Sequence, residues 1–149
     1  MTSLSFRFNY KRVGALDNDT KEVKDYYYPF IPCILSSERK TTREIDGLLD
    51  SGSDGVVINR SMADMLELKL KNANSIRVAG SKIQRSVSNI SIKIGRAGRF
   101  SQLFENVQVS VIEGEETPVI IGRDPIFRFY RITFIEPEHR LEFAPYEKK

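Results

Sequence analysis

Apolar and polar residues alternate along much of the chain, as in β-strands that bury one face. The N-terminal segment LSFRFNYKRV predicts a strand whose apolar face contains Leu4, Phe6, Phe8 and Tyr10. The segment GALDNDTK predicts a loop, and REIDGLLD predicts a further strand. Between them, DYYYPFIPCILSS predicts an aromatic strand. Pro29 and Pro32 restrict this strand to an edge or a bent position, because proline donates no ladder hydrogen bond.

One helical segment interrupts this alternation. NRSMADMLELKL has Asn59 or Ser61 as a candidate cap and apolar residues at helical spacing. After it, SIRVAGSKIQRSVSNISIKIG predicts three short strands and QVSVIEG another. TPVIIGRDPIFRFY predicts a buried strand, a glycine turn and a short helix or turn, and RITFIEPEHRLEF predicts a hairpin around Pro137. The pattern therefore predicts a mostly-β fold with one or two short helices, and 149 residues suit a single domain.

Composition and charge narrow the range of partners. Lysine and arginine exceed aspartate and glutamate by 23 − 20 = 3, and the basic residues are scattered along the chain. Nucleic-acid binding usually shows a concentrated basic face, so no nucleic-acid partner is expected. Tyr26, Tyr27 and Tyr28 offer the rival interpretation of a base-stacking platform. Aromatic strand residues more often belong to a core, and we expect these three to be buried.

The cysteine count and the apolar runs indicate a soluble cytoplasmic protein. Cys33 is the single cysteine, which excludes an intrachain disulfide and suits a reducing compartment. The N-terminal segment MTSLSFRFNYKR carries charge where a signal peptide needs an apolar core. No apolar run approaches the roughly 20 residues that span a bilayer, so no membrane partner is expected.

The segment GLLDSGSDGVVI, residues 47–58, sets acidic residues between apolar flanks. A helix would align Asp46, Asp50 and Asp54, but two glycines and a β-branched run disfavour it. A calcium loop needs more oxygen ligands and a distal acid, whereas apolar residues follow Gly55. An ordinary surface turn or a functional aspartate remains. A carboxylate at the end of a buried strand is costly unless it is hydrogen-bonded or functional, which favours the second interpretation.

Other chemistries lack the residues that they need. His139 is the single histidine, and pairing it with Cys33 as a nucleophilic dyad has no support in the sequence. Zinc sites use about four Cys, His or acidic ligands, which this chain does not supply as a motif. Neither a Gly-x-Gly-x-x-Gly pattern nor a P-loop occurs. We therefore expect no metal and no cofactor.

Three segments in order resemble the retropepsins, the retroviral-type aspartic proteases. Leu48 to Ser53 is similar to the active-site signature, in which two apolar residues precede Asp-Thr/Ser-Gly. Ile76 to Ser86 lies where the family has its flap hairpin. The second signature, an apolar strand ending in Gly-Arg-Asn/Asp, resembles the segment Val119, Ile120, Ile121, Gly122, Arg123 and Asp124. The resemblance covers roughly residues 26–143 and implies a closed-barrel acid-protease fold.

The chain also departs from the family pattern. The flap has Gly80 as its only glycine, which suggests a stiffer hairpin or a different closure. The chain continues beyond the second signature through RITFIEPEHRLEFAPYEKK, so the dimer interface is expected to differ from that of short retroviral members. We divide the chain into an N-terminal extension with an extra strand, residues 1–25, and a protease domain, residues 26–149.

The resemblance implies an aspartic endopeptidase that works as a homodimer. One signature aspartate per chain means that Asp50 of two protomers must meet at a two-fold axis and activate water together. By the same resemblance, Ser51 braces this pair across the axis, Gly52 leaves room for the substrate backbone and Ser53 supports the loop. The rival function is a catalytically silent dimer of this fold that binds peptides or acts as a scaffold.

The resemblance also implies how substrate is bound. The flap would close over an extended peptide or unfolded protein segment, and its tip is formed by Val78, Ala79, Gly80 and Ser81. The cleft is expected to be lined by apolar side chains. In the family pattern, an acid four residues after the catalytic aspartate pairs with the arginine of the second signature. We therefore expect an ion pair between Asp54 and Arg123 beside the cleft.

Overall fold

The computed structural model describes residues 4–78 and 80–147 and confirms the mostly-β fold. Within this part of the chain there are thirteen strands, two short α-helices and one 3-10 turn at Glu136–Glu138. The strands are β1 Phe6–Asn9, β2 Lys11–Leu16, β3 Val23–Tyr28, β4 Phe30–Ser36, β5 Ile45–Leu49, β6 Val56–Asn59, β7 Lys71–Val78, β8 Ser81–Arg96, β9 Arg99–Phe100, β10 Phe104–Ile112, β11 Val119–Ile121, β12 Tyr130–Ile135 and β13 Arg140–Pro145; the helices are α1 Arg60–Met65 and α2 Ile126–Phe129.

Six strands form a closed barrel. Hydrogen bonds link them in the order β10-β6-β11-β5-β4-β8, and β8 pairs with β10 to close the ring. The pairs β5–β11 and β6–β10 are parallel, whereas β8 runs antiparallel to β4 and β10. Closure pairs both edges of the sheet. The sequence-based prediction of a closed barrel is correct.

The barrel core follows the predicted alternation. Alternate residues of β4, β8 and β10 are fully or almost fully buried, namely Ile31, Cys33, Leu35, Ile90, Ile92, Ile94, Val107, Val109 and Val111. Thr42 is a buried polar residue, and its hydroxyl accepts a hydrogen bond from the backbone nitrogen of Leu35 at 3.0 Å. This bond meets the condition that a buried polar group be paired.

A second, three-stranded sheet packs aromatic side chains and has the order β1-β13-β12. Phe6 lies opposite Phe143, and both are buried. The predicted N-terminal strand is confirmed over Phe6–Asn9, whereas Leu4 lies before it and is 38% exposed, and Lys11 already begins β2 of another sheet. The predicted hairpin around Pro137 is also confirmed, since β12 and β13 pair antiparallel around the 3-10 turn.

Helix α1 begins where the sequence indicated. Asn59 caps it, because its side-chain oxygen accepts a hydrogen bond from the backbone nitrogen of Met62 at 2.9 Å. Ala63 and Leu66 bury one side of the segment, whereas Met65 is 49% exposed. In the part of the chain that the structure describes, no helix is both long enough and apolar enough to cross a membrane.

Several sequence-based expectations were wrong. Where three short strands were expected, the chain forms β7 and one 16-residue strand, β8, which pairs with β4, β7, β9 and β10. The expected loop at residues 14–21 contains the end of β2, which forms a hairpin with β3. Tyr26, Tyr27 and Tyr28 lie on this hairpin and are 45%, 38% and 41% exposed, so they do not belong to the core.

The strand that contains Pro32 is not an edge strand. β4 lies between β5 and β8 in the wall of the barrel, and Pro29 directly precedes β4. Pro32 pairs with Asp46 of β5, and the ladder with β8 begins one residue later at Cys33. Pro32 is therefore tolerated because the missing N–H falls outside the β8 ladder.

Candidate active site

Asp50 directly follows β5 at the end of a buried parallel strand pair. Leu48 and Leu49 lie opposite Ile120 and Ile121 of β11. The backbone nitrogen of Asp50 donates to the carbonyl oxygen of Ile121 at 3.0 Å. The two signature segments, which are far apart in the sequence, therefore lie side by side.

A tight turn holds the Asp50 carboxylate at the surface. The backbone nitrogen of Gly52 donates to Asp50 Oδ1 at 2.8 Å, and that of Ser53 donates to the Asp50 carbonyl at 3.2 Å. Asp50 is half-buried, whereas Ser51 and Gly52 are exposed. Ser53 is half-buried, and its hydroxyl donates to the Gly55 carbonyl at 2.9 Å. The carboxylate is thus hydrogen-bonded and still accessible, which reduces the cost of its partial burial.

Gly122 allows the second signature to approach this turn closely. Three backbone nitrogens in succession donate to it: Gly122 to Gly55 at 3.1 Å, Arg123 to Ser53 at 2.9 Å and Asp124 to Asp54 at 2.9 Å. A Cβ on Gly122 would lie 2.3 Å from the Gly55 oxygen and 2.5 Å from the Ser53 oxygen. Only glycine fits between these backbones.

Side chains join the same two segments. Arg123 Nη2 contacts Asp54 Oδ1, so the two residues expected to pair lie together. In the single chain, the Arg123 side chain is 56% exposed and that of Asp54 is 94% exposed. Solvent screens such a pair, and it contributes little to stability. Asp124 Oδ1 lies 3.4 Å from Arg128 Nε, and both side chains of this second pair are also exposed.

A cleft of about 800 Å³ opens beside Asp50. Its walls are formed by the Asp50 turn, by residues of β10 and by the hairpin of β7 and β8. The lining is mixed, which corrects the expectation of an apolar cleft: it includes Val57, Ile83, Ile112 and Ile120 together with Arg77, Arg85, Glu105, Asn106, Gln108 and Ser110. Arg85 is fixed in this wall, because it donates to the Asn74 carbonyl at 2.8 Å and to Ser110 Oγ at 2.9 Å.

The hairpin expected to act as a flap forms one side of the cleft. β7 ends at Val78, Gly80 follows with φ of +84°, and Ser81 begins β8. Ala79 lies outside the described residues. The left-handed conformation at Gly80 explains why the turn has glycine there. Ile83 of β8 lines the cleft below the turn.

The charged residues of the cleft wall were not identified from the sequence. Ile83 and Arg85 share the cleft face with Ser110 because β8 and β10 pair in a register that only the folded chain defines. The sequence shows that side chains alternate between the two faces of each strand, but it does not show which face points to the cleft. Within the described residues, no group of three or more His, Cys, Asp or Glu side chains is placed to hold a metal ion.

Solved structures with a similar fold include retropepsin-like proteases. The retropepsin-like aspartic protease from Rickettsia conorii matches with a TM-score of 0.56 and 15% identity, over 96% of this chain and 95% of that chain. The EIAV protease complexed with the inhibitor HBY-793 matches with a TM-score of 0.52 and 17% identity, over 68% and 86%. The retroviral protease-like domain of Ddi1 from Leishmania major matches with a TM-score of 0.50 and 16% identity, over 79% and 94%.

A match to a family model agrees with this fold, although a search among curated proteins found no match. A family model described as aspartyl protease matches residues 40–124, which is more than half of the 149 residues and includes both signatures. The resemblance to the retropepsins is confirmed. The chain therefore belongs to the aspartyl protease family and has the retropepsin-like fold.

Proposed function

We propose that this protein is an aspartic endopeptidase whose active site forms between two copies of the chain. The observation that carries the proposal is the position of Asp50. Its carboxylate is fixed by the Gly52 nitrogen, open to solvent, and placed beside a cleft large enough for a peptide. One chain contributes one such aspartate, so the second carboxyl comes from a partner protomer.

Peptide-bond hydrolysis at this site needs two carboxyls with different tasks. One Asp50 accepts a proton from water as the water attacks the scissile carbonyl, and the other, protonated, donates a hydrogen bond to the carbonyl oxygen. Two carboxyls a few ångströms apart do not ionise independently and share one proton. Their titration then belongs to the pair and not to either copy.

The residues after Asp50 have supporting roles. Ser51 is exposed next to Asp50, where its hydroxyl is free to bond across the two-fold axis. Gly52 fixes the carboxylate through its nitrogen and presents no side chain to the substrate backbone. Ser53 closes the turn through its bond to Gly55. Arg123 and Asp54 link this turn to the end of β11.

The substrate is a peptide or an unfolded protein segment bound in an extended conformation. The hairpin of β7 and β8, with Val78, Gly80 and Ser81 near its turn, acts as the flap that covers it, and we assign Ala79 to the same flap. An extended peptide would add to this hairpin as a further strand. The protein works in the cytoplasm, where Cys33 stays reduced, and it has no nucleic-acid or membrane partner.

The test replaces Asp50 with asparagine, which keeps the shape of the side chain but removes the base. Cleavage of an unstructured protein should fall by orders of magnitude while the chain stays folded. Asp64→Asn is the matched control, since Asp64 is an exposed acid on α1 and should leave cleavage unchanged. Full activity of purified Asp50→Asn protein would refute the proposal.

A mixing experiment tests the shared site. Excess Asp50→Asn chains should inhibit wild-type chains by forming mixed dimers, and specific activity should fall on dilution below the dimer dissociation constant. A monomer with undiminished specific activity would contradict the shared site. A wild-type dimer that binds peptides and does not cleave them would instead indicate the silent binding or scaffold module.

A further inference from the structure

The hairpin of β2 and β3, residues 11–28, is an arm that extends from the rest of the chain. All twelve residues of its two strands are exposed. The strands pair with each other from Lys11 opposite Tyr28 to Leu16 opposite Val23, and they form a two-stranded sheet of their own. A two-stranded hairpin has marginal stability in water unless another surface packs against it.

The arm exposes apolar side chains on both of its faces. Leu16 and Val23 are 59% and 71% exposed and lie opposite each other near the tip. Val13 and Tyr26 form another opposed pair, nearer the base, and are 36% and 45% exposed. The two pairs lie three positions apart along each strand, and this odd offset makes them project from opposite faces. Each face therefore exposes one apolar pair, and the more exposed pair is Leu16 with Val23 near the tip.

The charged side chains of the two strands of the arm already have partners within the chain. Lys24 lies 2.7 Å from Asp17, Arg12 lies 3.6 Å from Asp25, and Lys11 at the base lies 2.6 Å from Asp46 of β5. A polyanionic ligand would have to compete with these carboxylates. The turn at the tip adds Asp19, Lys21 and Glu22, in which acids outnumber bases, so the tip repels a polyanion and its apolar pair favours a protein surface.

The base of the arm is anchored next to the catalytic segment. Tyr27 stacks on His139 with ring centroids 4.0 Å apart. Pro29, directly after β3, accepts a hydrogen bond from the backbone nitrogen of Leu49 at 3.0 Å, and Leu49 precedes Asp50. The arm therefore begins beside the end of β5, where the proposed function requires a second chain.

We propose that the arm packs against the partner protomer of the catalytic dimer through the apolar pair near its tip, Leu16 and Val23. The occupant of the arm surface is thus a second copy of this chain. This inference rests on the proposed function, because the meeting of two Asp50 residues brings the partner to the base of each arm. It assigns to the N-terminal region a role in assembling the active site.

The test makes the tip polar without removing its strand propensity. In a Leu16→Thr/Val23→Thr double variant, β-branched threonine keeps the preference for strand. The dimer dissociation constant, measured by sedimentation velocity over a concentration series, should rise about tenfold or more, as expected when buried apolar groups are lost. Leu103→Thr is the matched control, since Leu103 is 49% exposed outside the arm.

Two further measurements complete the test. Circular dichroism should show that the double variant stays folded, and its activity should recover at high protein concentration because no catalytic atom has changed. In the wild type, hydrogen exchange of the β2 and β3 amides should slow as the concentration passes the dissociation constant. A structural role confined to one chain would not produce this concentration dependence.

The outcomes separate the two proposals. A wild-type dimer with the same dissociation constant in the double variant and in the control would overturn the arm contact and leave the shared active site standing. The same holds if the hydrogen exchange of the arm amides does not change with protein concentration. A wild type that is monomeric and active at every concentration would overturn both proposals.

Discussion

Replacing Gly122 with alanine is expected to push the two signature segments apart. The new Cβ would lie 2.3 Å from the Gly55 oxygen and 2.5 Å from the Ser53 oxygen, and both are backbone atoms that cannot rotate away. Gly122 does not lie in the left-handed region, so the effect is steric. Overpacking costs about 1–3 kcal/mol. Weakening the three backbone hydrogen bonds between the segments adds about 1 kcal/mol each if all are lost. If all three are lost, a destabilisation of about 4–6 kcal/mol is expected.

The assay is urea denaturation followed by fluorescence or circular dichroism, together with peptide cleavage under conditions where the variant is folded. Gly55→Ala is the matched control at the other end of the same hydrogen bond, because a Cβ there has no atom within 4 Å. It should change stability by about 0.5 kcal/mol or less. If Gly122→Ala were as stable and active as Gly55→Ala, the close approach would not exist in solution.

Three other predictions follow from the same region and from the core. Arg123→Ala and Asp54→Ala should each cost about 1 kcal/mol or less, because the pair is exposed, and a double-mutant cycle with a coupling above about 3 kcal/mol would show burial instead. Gly52→Ala would place a Cβ 3.2 Å from Asp50 Oδ1, so cleavage should fall about tenfold with stability unchanged, and full activity would show that the carboxylate position is not critical. Burial raises the pKa of the Cys33 thiol to about 12, so at pH 8 a thiol reagent should label it only as fast as the chain unfolds. The stability contributed by this protonated thiol should be lost as the pH rises from about 9 to about 12, and rapid labelling of the native protein would contradict its burial.

The local parts of the site were readable from the sequence. A strand that leads into Asp50 and a glycine turn can be recognised from a few adjacent residues. The same is true of the strand that precedes Gly122. Their adjacency came from the family resemblance, because no local pattern states that β5 and β11 pair. The exposure of the Asp54–Arg123 pair was also unpredictable, since solvent access depends on the surfaces around it.

The fold errors share a physical cause. Alternation defines a strand, but it does not define where the strand ends or which partner it has. Residues 75–95 were divided into three strands, whereas β8 continues through sixteen residues because four different strands pair with parts of it. Tyr26, Tyr27 and Tyr28 were placed in the core by residue type, although they lie on a two-stranded hairpin whose strand residues are all exposed in the single chain.

The pairing of Phe6 with Phe143 has a consequence for the order in which the molecule folds. Strand pairs between distant residues slow folding, since a long loop must close before any contact is gained. β5 and β11 join late for the same reason, and β13 is needed before β1 has a neighbour. During synthesis the aspartate would therefore be made long before its supporting strand. Under the proposed protease function, the active site cannot assemble on an emerging chain before β11 has been made, so the nascent chain cannot cut itself or its neighbours.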